Sequence, residues 1–368
     1  MTRIVSPGDN IIVLKVSCLY LFLTVLLSVA VQAEEVDDFD DPKPLPADAS
    51  EHINVMINES LLEELHRYKS AAGCNVKSLK NVVHSWMNGG FMTRTKRVFD
   101  LGPKYMMRVH EEFDGGNIHA MNEYRAADKV ELFGRQNHSG SVYKNTDTDA
   151  GGCCVRRLNI KGIPIGLDKI DHFFSTGRAL IHDLDKLNIK DERERDQKAL
   201  ELSQLYEHGV QGLAFTGVKS YADMASNWAG YTFWKRFLSH PEEYFSCADG
   251  MWNLTKKIDI RDYVDWSWNE SINCNSYLSA KVRDQVNKNI ETLGFKPCPV
   301  EASVCEQLKV KYGATAPSIL SPRCLDRHKG FSQVETEKMD YQKAMELIRN
   351  MSLQDVKGYL QRKVGIAQ

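Results

Sequence analysis

Between residues 166 and 187 the chain reads "GLDKIDHFFSTGRALIHDLDKL", which crowds Asp168, Asp171, His172, His182, Asp183 and Asp185 into one short stretch. A carboxylate and an imidazole four residues apart, such as Asp168 and His172, share one helix face. Together they can hold a divalent ion, and a bound ion makes water nucleophilic near neutral pH. The stretch also has a plainer reading. Ile170, Phe173, Phe174, Gly177, Leu180, Ile181 and Leu184 recur at i, i+3, i+4, i+7 spacing and form an apolar stripe. Asp168, Asp171, His172, Ser175 and His182 gather opposite, as on any surface helix. The two readings part on one point. A site needs that polar face turned into the protein, and Asp168 and His172 open to bulk water would end the idea.

Two later segments supply partners. "ALELSQLYEHGVQGLAFTG" carries Glu207 and His208 beside Gly209 and Gly212. "SYADMASNWAGYTFWKRFL" sets Ala222, Ser226, Ala229 and Gly230 in near-helical register, and such small residues let backbones approach closely. Tight packing of these helices would bring Glu207, Asp223 and Asn227 up to the first. The candidate catalytic residues are therefore Asp168, His172, Glu207 and Asp223. The candidate metal ligands are Asp168 and His172, with one divalent metal as the candidate cofactor. Asp223 has a second explanation, since Ser220 and Asp223 spell a capping box. Trp228, Tyr231 and Trp234 suit a core better than a ligand platform.

A separate cluster, "DIRDYVDWSWNESINCNSYL", sets Asp262, Asp265 and Glu270 among Tyr263, Trp266 and Trp268. A carboxylic acid against aromatic rings can keep its proton and act as a general acid. Paired carboxylates with aromatic walls suit a sugar polymer. Helix capping and turn hydrogen bonds are the plain alternative. No G-x-S-x-G, H-E-x-x-H or glycine-rich phosphate loop is present. A net charge of −2 denies the chain a nucleic-acid footprint.

The elements that must position these residues follow from the rest of the 368-residue chain. "VSCLYLFLTVLLSVA" is an uncharged apolar run preceded by Arg3 and Lys15 and followed by "VQA". That order matches a secretory signal peptide cut after Ala33, the alternative being an uncleaved anchor. Eight cysteines follow the run: Cys74, Cys153, Cys154, Cys247, Cys274, Cys298, Cys305 and Cys324. An even count in an exported chain suggests disulfides, and Cys298 with Cys305 and Cys247 with Cys274 are the favoured pairs. Hydrophobic content of 42% and charged content of 26% are those of a globular chain. The expected organisation is a signal peptide over 1–33, a flexible acidic leader over 34–50, an N-terminal helical or irregular region over 51–160, a helical core with disulfides over 161–330 and a helical tail over 331–368. Ser60 and Glu63 read as the N-terminal box of a helix that Gly73 ends. "NTDTDAGGCC" reads as a loop. The fold class expected is mainly α, a helical core with a small α+β or irregular N-terminal region, held by disulfides. The sequons at Asn58, Asn137, Asn253, Asn269 and Asn350 would matter only in a eukaryotic secretory pathway.

Four runs, "LDKIDHFFSTG", "GVKSYADMASNWAGYTFW", "YFSCADGMWNL" and "DYVDWSWNESINC", together resemble a family of exported bacterial proteins of unknown function. The resemblance covers roughly residues 165 to 275. Its first motif commonly reads D-K-x-G-H-F, and Asp171 stands here where the family has glycine. Asp168, Lys169, His172, Phe173, Tyr221, Asp223 and Asn227 are the family-like residues. The resemblance implies a mostly helical protein of the periplasm or cell envelope and brings no activity with it.

Two functions of different class remain. The first is a non-catalytic envelope protein that binds an envelope component or protein partner through the aromatic-rich 228–268 region and the tail helices. The second is an acid/base or metal-assisted hydrolase acting on cell-envelope material. The sequence favours the first, because it displays no complete catalytic constellation. Neither involves nucleic acid, and membrane contact would come only through an uncleaved signal.

Overall fold

The computed structural model describes residues 45–67, 74–86, 134–136, 141–146, 155–166, 168–208, 211–213 and 217–326. All fall within the unit 33–368. The expected signal peptide, most of the acidic leader, Gly73, Cys153, Cys154, the greater part of the "NTDTDAGGCC" loop and the tail over 331–368 lie outside them.

The architecture is mainly α with small sheets, as the sequence leads one to expect. Helix α1 spans Ser50–Arg67 and α2 spans Val76–Ser85. The structure moves the start of α1 well ahead of the box expected at Ser60. Asp48 Oδ1 accepts from Ser50 N at 2.9 Å and satisfies a free amide of the first turn. Ile53, Ile57, Leu61 and Leu65, one every four residues, are buried along the helix and carry it through Ser60. Ser60 Oγ instead accepts from Trp86 Nε1. The end of the supposed leader is thus built into the fold, with Ala49 N donating to Asn159 O at 2.8 Å.

Strands β1 (Gly134–Gln136), β2 (Val155–Ile160) and β3 (Ile163–Gly166) form an antiparallel sheet. The chain then enters the expected Asp/His helix: α3 (Asp168–Asp171), a π-helical turn (His172–Thr176) and α4 (Gly177–Leu187). Every member of the apolar stripe, Ile170 to Leu184, is buried. Helix α5 (Glu192–His208) follows, then β4 (Val218–Lys219) and α6 (Tyr221–Ser239). A β5–β6 hairpin (Phe245–Ala248, Met251–Leu254) comes next. Strand β7 (Ser276–Tyr277) returns to pair with β4, Lys219 opposite Ser276. Helices α7 (Ala280–Leu293), α8 (Ala302–Tyr312), α9 (Ala316–Ile319) and α10 (Pro322–Leu325) complete the described chain.

The main core joins α1 and α2 to α4, α6 and the 258–272 segment. Phe173 packs its ring against Phe174, Phe233, Tyr263 and Trp268, with centroids 4.7–5.7 Å apart. Burying each such ring contributes about 1.5–3 kcal/mol. On α6 the aromatic side chains of Tyr231, Phe233, Trp234 and Phe237 are buried, and Trp228 is partly buried against the same core. These rings are core rather than a ligand platform. The α6 backbone lies so close to the π turn and α4 that side chains are excluded at the crossing. A Cβ on Gly177 would sit 2.5 Å from the carbonyl carbon of Gly230, and one on Gly230 would run into the backbone of Phe173.

The disulfides differ from the favoured pairs. They join Cys74 to Cys247, Cys274 to Cys298 and Cys305 to Cys324. Cys274 and Cys298 meet in a second, smaller core around Val218, Tyr277, Val286 and Tyr143, which explains why Cys298 does not close onto Cys305. Two of the sequon asparagines are structural. Asn58 is buried and holds the backbone of Ile258, and Asn269 holds the carbonyl of Pro164.

Candidate functional site

At Asp168 and His172 the polar side of the α3–π–α4 helix turns towards the protein interior, whereas at His182 it is exposed. Lys169 lies four residues before Phe173, on the buried stripe, and its side chain is 0% exposed. Its ammonium meets Asp168 Oδ2 at 2.7 Å, Asp223 Oδ1 at 2.5 Å and Glu270 Oε1 at 2.7 Å. His172 and Asp168 stand at the rim, with side chains 12% and 15% exposed. They are not open to bulk water, so the condition that would have ended the site reading is not met.

Each partner arrives by a traceable route. Asp223 sits in the first turn of α6, whose N-cap is Ser220; Ser220 Oγ accepts from Asp223 N at 3.1 Å. Half of the expected capping box is therefore present, but the Asp223 carboxylate is turned to Lys169 and His172. Glu207 lies one residue from the end of α5. Gly212 presses against it, and a Cβ there would come 2.9 Å from Glu207 Oε2. Glu270, 101 residues from Lys169 in sequence, is delivered beside the β4–β7 pairing. It also accepts from Ser220 Oγ (3.1 Å), Tyr143 Oη (2.9 Å) and Asn275 Nδ2 (2.9 Å).

His172 links the two halves of the cluster. Its Nε2 lies 3.2 Å from Asp223 Oδ2. Its Nδ1 lies 3.0 Å from Asn227 Oδ1 and 3.9 Å from Glu207 Oε1. Asn227 is oriented in turn, because its Nδ2 donates to Ser203 Oγ at 3.2 Å. An amide oxygen can only accept, so Nδ1 carries a proton. Nε2 then faces the Asp223 carboxylate.

Glu207 is 0% exposed, and neither of its carboxyl oxygens has a hydrogen-bond partner among the described residues. Burial, reinforced by the negative charge of Asp223, pushes its pKa well above the ordinary glutamate range. Asp168 is also raised, by burial against the opposing pull of Lys169, with Asp223 and Glu270 adding to the rise. Burial works against ionisation of Asp223 too, but His172 and Lys169 outweigh it and hold its carboxyl below the usual range. Asp168 and Glu207 thus differ from Asp223 in their affinity for a proton, the separation that acid/base chemistry needs.

The fold brings together all four candidate catalytic residues, Asp168, His172, Glu207 and Asp223. Two residues that the sequence did not single out for chemistry at this place, Lys169 and Glu270, complete the cluster. Of the second acidic cluster only Glu270 reaches it. Asp265 instead caps the turn at Trp266–Trp268 and pairs with Lys311, and Asp262 is exposed. His182, Asp183 and Asp185 lie further along α4 in surface ion pairs, among them those with Lys186, Lys80 and Arg195. No family model, curated protein or solved structure matches the chain. Functional reasoning therefore rests on this geometry.

Proposed function

We propose that the protein is a hydrolase whose acid/base centre is the Asp168–His172–Glu207–Asp223 cluster. The observation that carries this reading is Glu207, a fully buried carboxyl with no hydrogen-bond partner beside an imidazole. A network that served stability alone would satisfy its buried groups, since leaving a buried polar group unmade costs about 1–3 kcal/mol. Unmet groups of this kind persist at sites that use them. In the proposed reaction the His172–Asp223 pair takes a proton from water, the hydroxide adds to the substrate, and Glu207 gives its proton to the leaving group. His172 Nδ1 lies 3.9 Å from Glu207 Oε1, so the proton returns once the imidazole leaves Asn227 and closes that gap by about 0.7 Å or more. Of the four residues, His172 and Asp168 are the partly exposed ones through which a substrate would approach.

The preference for a non-catalytic binding protein rested on a missing constellation, and that ground is weakened by the cluster. The large apolar side chains left exposed among the described residues, Leu45, Leu187, Met251, Trp266, Leu278 and Val310, lie on separate elements. Three disulfides among the described residues support an exported enzyme, for which cell-envelope material is the proposed substrate. The test is a panel of chromogenic esters, amides and glycosides, assayed with the full chain across pH 4–9. Turnover that His172→Gln lowers at least about 100-fold, the usual scale of general acid/base help, is expected. Turnover indifferent to His172→Gln would overturn the assignment.

A further inference from the structure

Lys169 occupies one oxygen of Asp168 and one of Asp223 and leaves the other of each. It takes Asp168 Oδ2 and Asp223 Oδ1. The remaining oxygen of Asp223, Oδ2, faces His172 Nε2 at 3.2 Å. The remaining oxygen of Asp168, Oδ1, is buried without a hydrogen-bond partner. One ligand atom each from Asp168, His172 and Asp223 can be chosen so that all three lie within 4.8 Å of one another. Ligands about 2.1 Å from a tetrahedral ion lie about 3.4 Å from one another, so side-chain movement of up to about 1.4 Å closes the set.

Two further features point to a cation rather than to a chance gathering of acids. The ring nitrogen of His172 that does not face Asp223 donates to Asn227, and Asn227 is itself held by Ser203. A histidine that binds metal is fixed in this way, through its other N–H, which selects the tautomer and presents Nε2 as a lone pair. Glu207, fully buried and unpartnered, is aimed at the same imidazole. Four carboxyls, Asp168, Glu207, Asp223 and Glu270, gather around Lys169 and His172, with Lys219 also acting on Glu207.

We propose that Asp168, His172 Nε2 and Asp223 Oδ2 bind one divalent transition-metal ion, with Lys169 and Asn227 positioning the ligands and Glu207 beside it. A mixed nitrogen and oxygen set suits zinc or manganese. This deepens the hydrolase reading above and rests on it for its purpose: three protein ligands would leave a coordination position for the water that the reaction consumes, and with the ion bound His172 would serve as ligand while the ion, not the imidazole, lowers the pKa of that water.

The test uses the full chain stripped with chelator and titrated with Co²⁺, followed by visible absorption, and with Zn²⁺, followed by calorimetry. One equivalent per chain is expected, with a Co²⁺ spectrum lacking thiolate bands. Asn227→Ala should weaken affinity about 10–100-fold while leaving one site, the usual cost of losing a ligand's orienting partner. His172→Gln should abolish binding. No Co²⁺ spectrum from the wild-type chain overturns the proposal whatever the variants do. Binding that survives His172→Gln overturns it too, by placing the ion elsewhere, for example on the acidic run 34–41. The two readings fail separately. A metal-free chain that turns over substrate defeats the ion and leaves the hydrolase, whereas a chain that binds Co²⁺ through His172 and hydrolyses nothing defeats the hydrolase and leaves the ion.

Discussion

Replacing Glu207 by glutamine should stabilise the protein. Glu207 is buried with both oxygens unpartnered, and burial, then Asp223, raises its pKa well above 4.5. The sign follows from proton uptake. Above the unfolded pKa, the folded chain holds a proton that the unfolded chain has released. Stability therefore falls as pH rises, by about 1.36 kcal/mol per pH unit, until the folded pKa is reached. Glutamine, of the same shape and always neutral, escapes that cost. The variant therefore gains about 1.36 kcal/mol for every pH unit that lies between the unfolded and the folded pKa of Glu207. The assay is urea unfolding of both chains in the presence of chelator, at intervals from pH 4 to pH 9. The stability difference should be near its minimum at pH 4 and widen with pH before levelling off. A difference that stays flat across that range, or a variant weakened increasingly at high pH, would refute the reasoning.

Other perturbations give equally definite expectations. Lys169→Met leaves Asp168, Asp223 and Glu270 buried without their ammonium; breaking such a pairing costs about 3–5 kcal/mol. Part of that loss should return on acidification, as the carboxyls take up protons, and urea midpoints at pH 5 and pH 8 check it. Gly230→Ala pushes a methyl into the Phe173 backbone and should cost about 1–3 kcal/mol, read from thermal unfolding by circular dichroism. Asp259, held at about 2 chiefly by hydrogen bonds from Arg261, with burial opposing and Asn54 assisting, contributes stability above 3.8 that is lost as pH falls towards 2. Asp259→Asn should flatten the stability profile across that acid window.

The apolar stripe from Ile170 to Leu184 was legible because helical spacing is a local signal, and the small residues of α6 announced a close crossing before any coordinates did. What local spacing cannot say is which side of the polar face meets water. Lys169 carried a clue, since it stands one helical turn before Phe173 on the stripe. Lysine is so seldom fully buried that the clue carries little weight by itself. Glu270 gave no sign at all of its link to Lys169, because only the β4–β7 pairing, a long-range contact, brings its segment there. The start of α1 was hidden by a competing signal. Ser60 and Glu63 form a credible capping box, while the Ile53, Ile57, Leu61, Leu65 series that runs through it is the one that burial obeys. Disulfide partners were illegible for a related reason: proximity in sequence favoured Cys298 with Cys305, and a shared core placed Cys298 with Cys274.

The most direct measurement is the release of soluble fragments from purified cell-envelope polymer by the full chain, wild type and Glu207→Gln side by side. Because the variant is expected to be the more stable of the two, its inactivity cannot be put down to misfolding. Steady release by the wild-type chain and none by the variant is the predicted result. Equal release by both, or none by the wild type, would contradict a catalytic role for this cluster.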